Sequence, residues 1–271
     1  MKKFLCIGLL IAAVVMTWIV TVGNQTQAQS KSGDKKLVIR AGQFPRYYEG
    51  TYKKDLSIEY LLYLPEDYGK DKDRRWPVVL FLHGSGQRGK KVFSVARTGL
   101  PQMLKKKKNF PAIVISPQCP PGRWWNDVDV TLKVKAMLDD VCKKYAVDKK
   151  RIYLTGLSMG GFGTWHLAQQ YPDTFAALAP ICGGGNPWLQ KRLIKIPTKV
   201  YHGTKDRNVP IAFGRLMYDA LKRAGGQVEF IEFPNKAHSI WNGIYKNPKL
   251  WEWMFAQVKG QRDPTLKKRS K

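Results

Sequence analysis

With 271 residues and 44% hydrophobic side chains, the chain is long enough to bury one large core, and a single main domain is expected. Lys and Arg number 47 against 20 Asp and Glu, a formal net charge of +27 that favours anionic partners and leaves the fold open. No internal repeat is present, and no basic motif with interleaved aromatics accompanies the lysines, so a specific nucleic-acid module is excluded and a solvated basic surface is the plainer reading.

In chain order, residues 1–28 read as an export signal. Lys2 and Lys3 precede an apolar stretch from Phe4 to about Val22, and Thr26-Gln-Ala28 offers a small-residue cleavage site. Cleavage predicts a secreted or periplasmic protein; left uncleaved, the same stretch is long enough to anchor the chain in a bilayer. Residues 29–36 are polar and read as a disordered linker. Export places Cys119, Cys142 and Cys182 in an oxidising compartment. Three is odd, so at least one thiol is unpaired or pairs outside the chain, any of three single bridges is open, and the spacing fits no metal site.

The strand-like runs Leu37 to Arg40 and Ser57 to Leu64 predict the antiparallel start of a sheet. Val78 to Leu82, Ala112 to Ser116, Ile152 to Thr155, Ala176 to Ile181, Lys199 to His202 and Val228 to Phe233 are short, apolar and separated by helical stretches. That alternation predicts an α/β fold with a mostly parallel central sheet of about eight strands and helices on both faces. Val130 to Tyr145 carries Val130, Val134, Met137, Leu138, Val141 and Tyr145 on one helical face. Ile211 to Arg223 and Lys249 to Val258 read similarly. Pro187 to Ile196 is an insert-like piece that could cap a site. The boundaries expected are a main domain over 37–260 and a basic tail over 261–271.

The segment Ile152 to Gln170 runs strand, Gly156-x-Ser158-x-Gly160, helix, which is the setting of a nucleophile elbow. A serine hydroxyl needs a base, and the base needs an orienting acid. Among four histidines, His238 follows the strand Val228 to Phe233 and is the expected base. Asp206, just past the strand ending at His202, is the expected acid; Asp173 is a rival whose place in a Tyr-Pro-Asp turn suits a cap. His202 and His166 read as structural. His83-Gly-Ser-Gly follows the strand Val78 to Leu82, where the backbone N–H of Ser85 or Gly86, with that of Met159, can face a developing oxyanion. Trp124, Trp125, Trp188 and Trp241 lie on loops expected around Ser158, either as binding surfaces for an aromatic acyl group or sugar face or as packing beneath the loops.

With LFLHGSGQRG from Leu80 to Gly89, ISPQCP from Ile115 to Pro120, GLSMGG from Gly156 to Gly161, HGTKD from His202 to Asp206 and Ala237-His238, the chain resembles the α/β-hydrolases over roughly residues 37–258. It is most similar to compact secreted esterases near dienelactone hydrolase, poly(3-hydroxybutyrate) depolymerase and feruloyl esterase, a group that includes chains labelled prolyl-oligopeptidase-like or phospholipase/carboxylesterase-like. The resemblance implies a serine carboxylesterase without a cofactor, acting on a small or polymer-linked ester such as a feruloyl or acetyl ester. It also implies that His83, Trp124, Trp125 and Trp241 border the substrate. Two other readings stay open: a peptidase or amidase on the same triad, and a non-catalytic binder of anionic cell-envelope polymers.

Overall fold

The computed structural model describes residues 41–51, 55–107, 109–261 and 263–264. The leader expected over 1–28, the linker expected over 29–36, the strand expected at Leu37 to Arg40 and most of the basic tail lie outside them.

Eight strands form one sheet: β1 (Gly42–Thr51), β2 (Asp55–Leu64), β3 (Trp76–Leu82), β4 (Ile113–Pro117), β5 (Val147–Leu157), β6 (Ala177–Ile181), β7 (Thr198–Gly203) and β8 (Val228–Phe233). Their spatial order is β1-β2-β4-β3-β5-β6-β7-β8. β1 pairs antiparallel with β2 and β2 with β4, and every later pairing is parallel. β3 and β4 are buried at every position. That is why they read as unbroken apolar runs: a parallel strand covered on both faces has no solvent side to alternate with.

The covers are helices. α2 (Val128–Lys144), α3 (Met159–Gln170) and α4 (Ile211–Arg223) lie on one face, where Val134, Met137, Trp165 and Met217 share one core with Val78, Leu80 and Leu82. α1 (Gly99–Leu104), α5 (Trp241–Lys246) and α6 (Pro248–Phe255) lie on the other, where Leu100, Tyr245 and Trp251 pack against Val79 and Phe81. The period of two along β3 therefore sends successive side chains into two separate cores. Each fully buried aliphatic side chain of these cores stabilises the fold by roughly 1.5–3 kcal/mol relative to exposure. The predicted stripe of α2 is buried as expected, from Val130 through Val141 to Tyr145 just past its end.

The loops that follow β3, β5, β7 and β8 all leave the carboxyl edge of the parallel sheet. That edge is where open α/β sheets place their ligands, and Ser85, Ser158, Asp206 and His238 each sit on one of those loops.

Candidate active site

Ser158 sits between β5 and α3 with φ 54° and ψ −119°, a conformation that side-chain-bearing residues seldom adopt. Neighbouring backbone holds it there. Its N–H donates to the Ile181 carbonyl at 2.9 Å, and its own carbonyl accepts from the N–H groups of Gly161 at 2.7 Å and Phe162 at 3.1 Å. The flanking glycines make the turn possible. A Cβ on Gly160 would stand 1.9 Å from the Leu82 carbonyl oxygen, and one on Gly156 would stand 2.3 Å from that of Gly160. The helix that begins at Met159 directs its N-terminus toward the serine, which favours negative charge at that spot.

His238 and Asp206 come from loops far apart in the chain. His238 Nε2 lies 2.9 Å from Ser158 Oγ, and its Nδ1 lies 2.6 Å from Asp206 Oδ2. An ionised carboxylate can only accept, so Nδ1 carries the proton and Nε2 is left to accept the hydroxyl proton of Ser158. The Asp206 side chain is fully buried. Burial pushes its carboxyl up, but the hydrogen bond from His238 and those from the backbone N–H groups of Val209 and Asn208 outweigh that, and the group is held below its ordinary value. Oδ1 takes both backbone bonds, at 2.9 Å and 3.0 Å, which leaves Oδ2 facing the imidazole.

A second layer holds this pair in place. His202 is buried; its Nε2 donates to the Val209 carbonyl at 2.8 Å and lies 3.4 Å from Asp206 Oδ2. Burial keeps its imidazole below the ordinary range, so it adds no positive charge beside Asp206 at neutral pH. The Cys182 thiol donates to the His238 carbonyl at 3.3 Å, and burial pushes its pKa up. Ligand atoms of Cys182, His202 and Asp206 lie within 4.8 Å of one another. The Asp206 carboxylate, His202 Nε2 and the thiol already have partners in the scaffold of the serine's base, so the group reads as a buttress. Among the described residues the three cysteines are all unbridged, with Cys119 and Cys182 buried and Cys142 partly so.

A hollow of about 420 Å³ opens over Ser158, with Ser85, Gly86, Met159, Trp124, Trp241 and His238 among its walls. The three expected oxyanion donors thus border the cleft together. Trp124 is 45% exposed at its rim, and the indole N–H of Trp241 donates to Thr98 Oγ1 at 2.8 Å while its ring meets that of His238 edge-on. Phe162, Leu157, Asn208 and Val209 also line it; their only sequence signal was proximity to the motifs.

Three expectations need correction. His83 and Trp125 do not border the cleft. Trp125 is 2% exposed and its indole N–H donates to the His83 carbonyl at 2.9 Å, so the pair packs beneath the loop. Trp188 and the insert around it face a separate hollow against Leu216 and Ala220 of α4, because Leu193 anchors the insert in the core on that side. The rival acid Asp173 is exposed in the turn after α3, while His166 is half-buried within α3.

The buried state of His83 has a measurable consequence. Its Nε2 accepts from the Cys119 N–H at 3.0 Å and its Nδ1–H donates to the Gly84 carbonyl at 2.6 Å, so both nitrogens are used by a neutral ring. Burial lowers its pKa from 6.5 to about 4. The unfolded chain takes up this proton below 6.5 whereas the folded chain does not until about 4, so stability is lost as the pH falls between these values. The gap corresponds to about 3 kcal/mol. Thermal unfolding followed from pH 7.5 to 4 is expected to show this decline, and His83→Gln is expected to flatten it. An equally steep decline in the variant overturns the assignment.

Comparison with known proteins gives the same neighbourhood. A family model described as Phospholipase/Carboxylesterase matches residues 69–247. The chain is 33% identical over 121 residues to poly(3-hydroxyalkanoate) depolymerase C of Paucimonas lemoignei, covering 40% of this chain and 28% of that one. It is 33% identical over 134 residues to a bifunctional acetylxylan esterase/xylanase of Neocallimastix patriciarum, covering 48% and 19% respectively. The chain therefore spans well under half the length of these relatives. The crystal structure of a thermostable esterase superposes with a TM-score of 0.68 at 31% identity, over 79% of this chain and 63% of that one.

Proposed function

The chain belongs to the phospholipase/carboxylesterase family of α/β-hydrolases, and from that premise we propose that it is an exported serine hydrolase that cleaves carboxylic esters through Ser158, His238 and Asp206. The observation that carries this reading is the continuous hydrogen-bonded line from Ser158 Oγ through His238 to Asp206, at 2.9 Å and 2.6 Å, on the wall of an open cleft.

In the proposed reaction His238 Nε2 takes the proton of Ser158 as its oxygen attacks the ester carbonyl. Asp206 keeps the imidazole in the required tautomer and stabilises the imidazolium. The backbone N–H of Met159, with that of Ser85 or Gly86, holds the oxyanion. His238 then protonates the leaving alcohol, and water, deprotonated by the same nitrogen, releases the acid from the acyl-enzyme. The size of the cleft suits a small acyl group. The relatedness to an acetylxylan esterase and the exposed Trp124 at the rim support an acetyl or aromatic acyl group on a polysaccharide. Export rests on the amino-terminal sequence pattern; among the described residues no helix is long and apolar enough to cross a membrane.

Fluorophosphonate labelling with mass mapping of the adduct tests the assignment. One adduct is expected, on Ser158, and its formation should be abolished in His238→Ala. Labelling elsewhere, or at an unchanged rate in that variant, sinks the triad.

A further inference from the structure

Beside the cleft lies a second and larger hollow of about 900 Å³. It meets the cleft at Gly86, which lines both, and at Arg97, whose chain neighbour Thr98 lines the cleft. Its walls carry Arg88, Lys90, Lys91, Arg97 and Lys105 against the single carboxylate of Glu59. Among the described ion pairs none involves these five cations, whereas Arg123 just outside is taken up by Asp127 and Asp129. Like charges left together without counter-charges repel one another, so this groove favours an anion.

Two further features narrow the class of anion. Phe93 is 64% exposed on the groove wall, and the Arg88 guanidinium lies 5.6 Å from the Trp124 ring at the rim of the cleft, so apolar faces flank the charged floor. Gln118 also lines the groove and is 3% exposed. Its Nε2 is surrounded by the Gln87 carbonyl at 2.9 Å, the Lys91 carbonyl at 3.2 Å and Ser94 Oγ at 2.8 Å, which fixes the orientation of the amide. Its Oε1 has no hydrogen-bond partner. That oxygen is closed off from solvent, so Gln118 shapes the groove floor as a fixed wall. Carboxylates to meet the cations and flat C–H faces to lie on aromatic rings occur together in a polymer of acidic sugars.

We propose that this groove is a substrate subsite that takes a carboxylate-bearing stretch of an acidic polysaccharide while an ester on the same chain enters the cleft over Ser158. The inference rests on the esterase reading for the second half of that statement. The groove itself is tested independently of it.

The experiment compares kcat/KM for an acetylated oligouronate and an acetylated neutral oligosaccharide of the same length. A preference for the acidic oligomer of at least about tenfold at low ionic strength is expected, and it should collapse at roughly 0.5 M salt, where exposed charges are screened beyond a few ångströms. The variant K90Q/K91Q/R97Q is expected to lose the preference, and K191Q/R192Q/K195Q, with the same change in net charge outside the groove, to keep it. Equal losses in the two variants, or no preference in the unmodified protein, overturn the proposal while leaving the esterase reading intact. Should no ester be turned over, that reading fails, and binding of the unesterified oligouronate by calorimetry still decides the groove. Binding at least tenfold weaker in K90Q/K91Q/R97Q alone supports it. Equal binding in both variants, or inorganic polyphosphate bound as tightly as the oligouronate, overturns it.

Discussion

Ser158→Ala is expected to lower kcat on a short p-nitrophenyl ester by roughly 10⁴-fold or more, with KM little changed. The loss is large because the hydroxyl is both the atom that forms the acyl bond and the group whose proton His238 Nε2 receives across 2.9 Å. With a methyl group there, the cleft would still admit an ester beside the proposed oxyanion donors at Met159 and at Ser85 or Gly86. Direct attack by water, with no acyl-enzyme, is all that remains. Stability should move little, because the interactions that hold residue 158 at φ 54° are backbone ones: its N–H on the Ile181 carbonyl and its own carbonyl on Gly161 and Phe162. Matching unfolding temperatures with turnover within tenfold of the parent would falsify the nucleophile assignment.

How much of this was legible in the sequence depends on whether the signal is local. The elbow was legible because its causes lie within a dozen residues: a β-type run, two glycines at positions where any Cβ collides with backbone, and a helix. Asp206 and His238 were legible because each follows a recognisable strand, and strand ends converge on one edge of a parallel sheet. Side-chain direction in the loops was not. Trp124 and Trp125 are adjacent, yet one is 45% exposed at the cleft and the other 2% exposed beneath it. A loop has no fixed period from which to tell them apart. β1 escaped notice for a related reason. Its sequence, GQFPRYYEGT, carries Gly, Pro and Glu, and its strand character comes from ten paired positions along β2. The start of β5 lies outside the expected strand, which begins at Ile152, because Asp148 to Arg151 are charged and break the apolar run; they are strand, but lie partly or fully in solvent. The role of His202 was half legible. Its place at a strand end showed, but its approach to Asp206 across the β7 loop did not.

Asp206→Asn is expected to lower kcat by about 10⁴-fold, comparable to the loss known for the equivalent change in a serine protease. The hydrogen bonds around the carboxylate dictate why. Oδ1 accepts from the N–H groups of Asn208 and Val209, so the amide oxygen of an asparagine must remain there, since the amide nitrogen would face two donors. The NH₂ group is thereby placed at the Oδ2 position, 2.6 Å from His238 Nδ1 and 3.4 Å from His202 Nε2. It can only donate, so Nδ1 must become the acceptor and the ring proton moves to Nε2. That proton then points at Ser158 Oγ, and the base has no lone pair for the hydroxyl. Near His202 the same NH₂ meets an N–H already directed at the Val209 carbonyl, so no alternative partner holds the amide in the reverse orientation. The variant should fold, bind ester with a KM close to the parent's and react with fluorophosphonate far more slowly. Nuclear magnetic resonance of the His238 ring should show the proton on Nε2. Turnover within tenfold of the parent, with the proton still on Nδ1, would mean that Asp206 does not set the tautomer.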